Sequence, residues 1–128
     1  MSDLQSFINS LTFPDLKINP LVYVMKNNMA VKNGLWLEFG VWKGKTINLI
    51  SNFKKNGLIH GFDTFTGLPE DWERPDMKGF VKGKFTLQGN LPKVNSNVKL
   101  YKGLFSDTLP KFLQKFKKPI TFLHIDCD

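Results

Sequence analysis

The chain has 128 residues, 41% of them hydrophobic and 23% charged, with a formal net charge of +7. That length makes one domain, able to bury roughly two thirds of its unfolded surface, and the composition excludes disordered, collagenous and coiled-coil chains. No apolar run reaches membrane-spanning length, the opening MSDLQSFINS lacks the basic region of a secretory leader, and the single Cys127 rules out an intrachain disulfide or a cysteine-based zinc site.

In chain order, Leu4, Phe7, Ile8 and Leu11 fall at helical spacing, and Phe13-Pro14 stops the run. Pro20 opens a second helix reaching about Met29, and Asn33-Gly34 is a turn signal. Leu35–Phe39 (LWLEF) is a nearly continuous apolar run, the pattern of a strand buried on both faces. A helix follows over about Lys45 to Lys55, with Ile47, Ile50 and Phe53 inward and Asn56-Gly57 at its C-terminal end. Leu58–Phe62 is a second buried strand running into Asp63. Strand, glycine turn, helix and strand in succession form a βαβ unit, so the sheet is parallel.

Residues 64–96 show no periodicity and read as a loop on the ligand side, too long for a plain connection. Trp72, Phe80 and Phe85 alternate there with Gly79, Gly83 and Gly89, as anchors and pivots of a lid would. Asn97–Lys102 alternates as a third strand. Leu109, Phe112, Leu113 and Phe116 make an amphipathic helix, capped by Asp107 or Thr108 and ended by Pro119. Ile120–Ile125 (ITFLHI) is a fourth buried strand, followed by Asp126, Cys127 and Asp128. The expected fold class is α/β, a doubly wound parallel sheet, with residues 1–33 as an N-terminal helical segment and 34–128 as a Rossmann-like domain. His60 and His124 sit inside strands and read as core or supporting residues.

Sheets of this kind bind ligands outside the carboxyl ends of their strands. Polar groups gather there: Glu38 to Gly44, Asp63, Gly103 to Asp107, and Asp126 with Asp128. Gly40 and Gly44 let the backbone bend and approach a ligand, and the helix that follows offers N–H groups to an anion. Asp63 is placed to accept hydrogen bonds from ribose hydroxyls. Asp126 and Asp128, two apart on an extended chain, can face one way and suit a hard cation such as Mg2+. Gly40, Gly44, Lys45 and Thr46 approach a nucleotide-binding P-loop, but three residues separate the glycines where a P-loop needs four, and G-x-G-x-x-G is absent.

The positive charge does not point to nucleic acid. Arg74 is the single arginine among eighteen basic residues, and eleven Asn accompany the lysines. That bias follows AT-rich codon usage, whereas base and phosphate readout favours Arg. A cytoplasmic chain with neither a nucleic-acid nor a membrane partner is expected.

The segments LEFGVWKGKT (37–46), IHGFDTFTGLPEDW (59–72), VKLYKGLFSDTLPKFL (98–113) and ITFLHIDCD (120–128) resemble class I S-adenosylmethionine (SAM)-dependent methyltransferases. Within these they most resemble the macrocin O-methyltransferase-like (TylF-like) group, over about residues 34–128. The resemblance implies that Glu38, Gly40 and Gly44 shape the pocket for the methionine part of SAM. It implies that Asp63 holds the ribose, with Thr64 and Phe65 beside the nucleoside, and that Gly103 to Phe105 lie near the adenine. Asp126 and Asp128 would be the catalytic and metal-holding acids, with magnesium aiding O-methylation of a small-molecule or saccharide acceptor.

The family's sheet sets its third, second, first and fourth strands side by side in that order, then continues further. This chain supplies the first four, so the expectation is a sheet truncated after the fourth strand, the front of a longer protein. A partner, such as a second copy in a homo-oligomer, is the other way to cover that strand. The alternatives to a methyltransferase are a non-catalytic SAM-binding remnant or interaction module, and more distantly a P-loop nucleotide hydrolase.

Overall fold

In the computed structural model, residues 3–10, 17–27, 33–54 and 56–127 are described. Leu11, Phe13, Pro14, Met29, Lys55 and Asp128, all named above, lie outside them. Helices α1 (Asp3–Ser10) and α2 (Pro20–Lys26) precede strand β1 (Leu35–Phe39) and helix α3 (Lys45–Ser51). Then come β2 (Ile59–Asp63), β3 (Val98–Lys102), α4 (Phe105–Lys115) and β4 (Ile120–Ile125). Pro20 occupies the first position of α2, and the Asn19 side chain caps that helix by accepting the Leu21 N–H at 2.8 Å. No helix among the described residues is long and apolar enough to cross a membrane.

The four strands form one parallel sheet in the order β3-β2-β1-β4. Alternation along each strand divides its side chains between two cores. Trp36, Ile59 and Phe122 pack with Ile47 and Ile50 of α3 and Met25 of α2. Leu35, Leu37, Phe62 and Tyr101 pack with Phe112 of α4 on the opposite face. Ile47, Ile50, Ile59, Phe62 and Phe65 are fully buried, each worth roughly 1.5–3 kcal/mol of transfer from water. The architecture is the doubly wound, Rossmann-like sheet, with helices on both faces. His60 is buried beside Phe112 and Phe116, with Nδ1 3.0 Å from the Tyr101 hydroxyl.

α2 ends at Lys26, short of the expected reach to about Met29. The end of α3 and the start of α4 also differ from expectation, both through contacts distant in sequence. α3 ends at Ser51, well before Asn56-Gly57. Its terminal carbonyls are taken by side chains from the segment just ahead of β3: Asn97 donates to Ser51 O at 3.0 Å and Asn95 to Asn48 O at 3.2 Å. α4 begins at Phe105, ahead of the expected caps Asp107 and Thr108, and its N-cap is Leu104. Phe105 is drawn into the helix by packing on Phe39, ring centroids 5.2 Å apart, and Thr108 Oγ1 donates back to Leu104 O.

The 64–96 loop holds no helix or named strand, yet it folds on itself. Trp72 and Phe80 exchange both backbone hydrogen bonds as an isolated antiparallel bridge. Leu68 N–H donates to Lys84 O, and Leu87 N–H and Gly89 N–H both reach Phe65 O.

The fourth strand is less buried than its apolar sequence predicts. Phe122 packs against Trp36, but Leu123 is 41% and Ile125 63% exposed, because α4 lies over β2. Bare apolar edges seek partners. Residues 1–128 are therefore expected to self-associate in light scattering, and Leu123→Lys with Ile125→Lys to shift the mass towards monomer. A monomeric unsubstituted chain at the same concentration would contradict this.

Candidate active site

The carboxyl ends of the strands open into a cleft of about 510 Å³, within the range of small-molecule sites. Gly40, Asp63, Thr64, Gly103, Phe105 and Asp126 line it from four strand ends. Val41, Trp42, Lys43, Lys45 and Thr46 line it from the turn after β1 and the start of α3. Gly67, Leu68, Pro69 and Phe85 add a wall from the long loop, and Leu104 and Cys127 complete it.

The turn is built around Asp63. The N–H groups of Val41 and Trp42 both donate to Asp63 Oδ2 at 2.8 Å, and the Phe65 N–H donates to Oδ1 at 2.8 Å. The carboxylate thus ties the ends of β1 and β2 together, a second task that its spacing from Gly40 does not reveal. With about two acceptor positions per oxygen, Oδ1 keeps one open. Two N–H groups of the turn itself are thereby occupied by Asp63; the N–H groups expected to meet an anion are those of the helix that follows, α3.

Gly40 adopts φ +86°, and a Cβ there would fall on the carbonyl of Asp126. The glycine is needed for close approach of two strand ends, a different reason from the ligand approach expected. Gly44 does not line the cleft; it sits buried at the N-cap of α3, against Val94. Phe65, expected beside a nucleoside, is instead fully buried in the α3-side core with φ +57°. Asp128 lies outside the described residues, and no group of three His, Cys, Asp or Glu among those described is placed to hold a metal ion.

Glu38 also lies off the cleft, in the layer beneath it. Strand alternation turns it inward, where it is fully buried and opposite His124 in the β1–β4 register. Its Oε1 is 2.9 Å from His124 Nδ1, and its Oε2 has no hydrogen-bond partner among the described residues. Burial, then the carboxylates of Asp126 and Asp63, push its pKa from 4.5 up to about 8.

That shift makes a stability prediction with a defined sign. Folded Glu38 binds its proton more tightly than the unfolded chain does, so it stabilises fully at low pH and loses that contribution as pH rises from about 4.5 to about 8. His60, held down to about 4 by burial and then by Lys99 and Lys54, acts oppositely between about 4 and 6.5. The two slopes offset each other below pH 6.5. Stability should then fall between pH 6.5 and 8, by up to about 1.4 kcal/mol per unit. Denaturant melts should show this fall in the unsubstituted chain and not in Glu38→Gln; parallel curves would contradict it.

The sequence pointed to the turn after β1 only as the range 38–44, without singling out Val41 or Trp42, and gave no sign of Gly67, Leu68, Pro69 or Cys127 as cleft residues. The available signal was Trp42, a large aromatic between two turn glycines, which no core needs at that place.

Searches of curated proteins and of solved structures gave no match. A family model described as a methyltransferase domain matches residues 37–128, which takes in the last three residues of β1, all of β2, β3 and β4, and every lining residue of the cleft. The match agrees with the strand order and with a ligand cleft at the strand ends, and it implies SAM as methyl donor. The chain belongs to the methyltransferase-domain family.

Proposed function

We propose that this chain transfers a methyl group from SAM to a hydroxyl of a saccharide or other small natural product, as the TylF-like resemblance implies. The observation that carries the reading is that Asp63, Gly103 and Asp126 reach one cleft from three separate strand ends. SAM, when bound, supplies an electrophilic methyl group on a sulfonium centre. Asp63 Oδ1 retains one acceptor position for a ribose hydroxyl, and Leu104 with Phe105 offers an apolar wall for a purine.

Asp126 is the exposed carboxylate of the cleft and takes the acceptor's proton. As the acceptor oxygen forms its bond to the methyl carbon, the carbon–sulfur bond breaks and sulfur keeps the electron pair. Magnesium belongs to this reading through Asp126 and Asp128, which would hold it beside the acceptor hydroxyl; the described residues do not by themselves form its site. Phe85, lining the cleft from the long loop, fits a loop that excludes water over bound ligands.

The test is incubation with methyl-labelled SAM and hydroxylated acceptors, with and without Mg2+. Equal amounts of S-adenosylhomocysteine and labelled ether are expected. Asp126→Asn should lower the transfer rate by about 10²-fold or more while SAM affinity stays within about twofold. SAM binding with no transfer to any acceptor would favour a non-catalytic SAM-binding module.

A further inference from the structure

The cleft has an aromatic and cationic side that the cofactor reading does not use. Trp42 adopts φ +46° and Phe85 φ +67°, a strained region that bulky side chains rarely enter. Both line the cleft, and their rings meet edge-to-face with centroids 5.5 Å apart. Trp42 is held there by its N–H bond to Asp63 and is still 41% exposed. Two strained backbones thus present one aromatic surface to the cavity and not to the core.

Positive charge gathers on the same surface. Lys43 Nζ stands 4.6 Å from the centroid of the Trp42 ring, and Lys84 Nζ stands 5.9 Å from that of Phe85. Lys43 and Lys45 line the cleft, and neither forms an ion pair among the described residues. Since the Val41 and Trp42 N–H groups already serve Asp63, these ammonium groups are available for an anion's charge. A sugar hydroxyl needs neither a ring surface nor a lysine cluster. A planar ring with an anionic substituent answers to both, through stacking and charge pairing.

Building on the methyltransferase reading, we propose that the acceptor is an aromatic hydroxy acid, its ring against Trp42 and Phe85 and its carboxylate beside Lys43 and Lys45. Its hydroxyl is the group methylated, losing its proton to Asp126 as the oxygen–methyl bond forms and the methyl–sulfur bond breaks.

The experiment is calorimetric titration of protein saturated with S-adenosylhomocysteine, using 3,4-dihydroxybenzoate, catechol, glucuronate and glucose as probes. Dihydroxybenzoate should bind about tenfold or more tighter than catechol, which lacks the charge, and than glucuronate, which lacks the ring. Lys43→Gln with Lys45→Gln should bring dihydroxybenzoate down to the catechol level. Trp42→Asn, whose side chain tolerates the positive φ, should bring it down to the glucuronate level, and Trp42→Phe should retain most of the affinity. Equal or tighter binding of the sugars, no binding of dihydroxybenzoate, or indifference to the lysine substitutions would overturn the proposal. Failure of S-adenosylhomocysteine itself to bind would instead overturn the methyltransferase reading beneath it.

Discussion

Gly40→Ala is expected to cost about 3 kcal/mol or more of folding stability and to abolish SAM binding. A Cβ at this position meets the Asp126 carbonyl oxygen and carbon and the Cys127 nitrogen, all backbone atoms. They can yield only if β4 shifts against β1, where the Asp126 N–H donates to Phe39 O at 2.8 Å. The strained φ adds to the steric cost. Gly83→Ala is the control: its φ is +80°, but a Cβ there meets nothing within 4 Å among the described residues, so the cost should be near 1 kcal/mol. Chemical denaturation of both variants separates the contact from the strain. Equal losses would mean that the approach of the two strand ends is not what Gly40 serves.

Asp63→Ala should lower stability and SAM affinity together. Removal of the carboxylate leaves the N–H groups of Val41, Trp42 and Phe65 without their acceptor, at a cost of about 3–5 kcal/mol for three charge-assisted bonds. Asp63→Asn keeps one acceptor oxygen and should fall between the two. A carboxylate that only held ribose would leave the melting curve unchanged and move SAM affinity alone. Loss of affinity with full stability would therefore show that the turn does not depend on Asp63.

The strands were legible because their signal is local. LWLEF and ITFLHI are apolar runs between turn signals, and both strands begin and end where the runs do. Partial exposure of β4 was not legible, since it depends on where α4 lies. The ends of α3 and α4 escaped for a related reason. Asn95 and Asn97 close one helix from more than forty residues away, and the Phe105–Phe39 contact opens the other. Among the candidate site residues, topology alone brings Gly40, Asp63, Thr64, Gly103, Phe105 and Asp126 to one cleft, because strand ends in a parallel sheet share an edge. Side-chain direction was harder to read. Glu38 points into the layer below through strand alternation, and Phe65 turns into the core through a positive φ that nothing in its neighbours announces.

The most direct measurement of the central claim is calorimetric titration of residues 1–128 with SAM and, separately, with ATP in the presence and absence of Mg2+. The cleft's Asp63, its glycine turn without P-loop spacing and the family match together require SAM to bind at least tenfold more tightly than ATP. They also require Asp63→Ala to weaken SAM binding and Lys45→Ala to leave it within a few fold. Tighter binding of ATP, strengthened by Mg2+ and lost in Lys45→Ala, would contradict the account and make this turn a nucleoside triphosphate site.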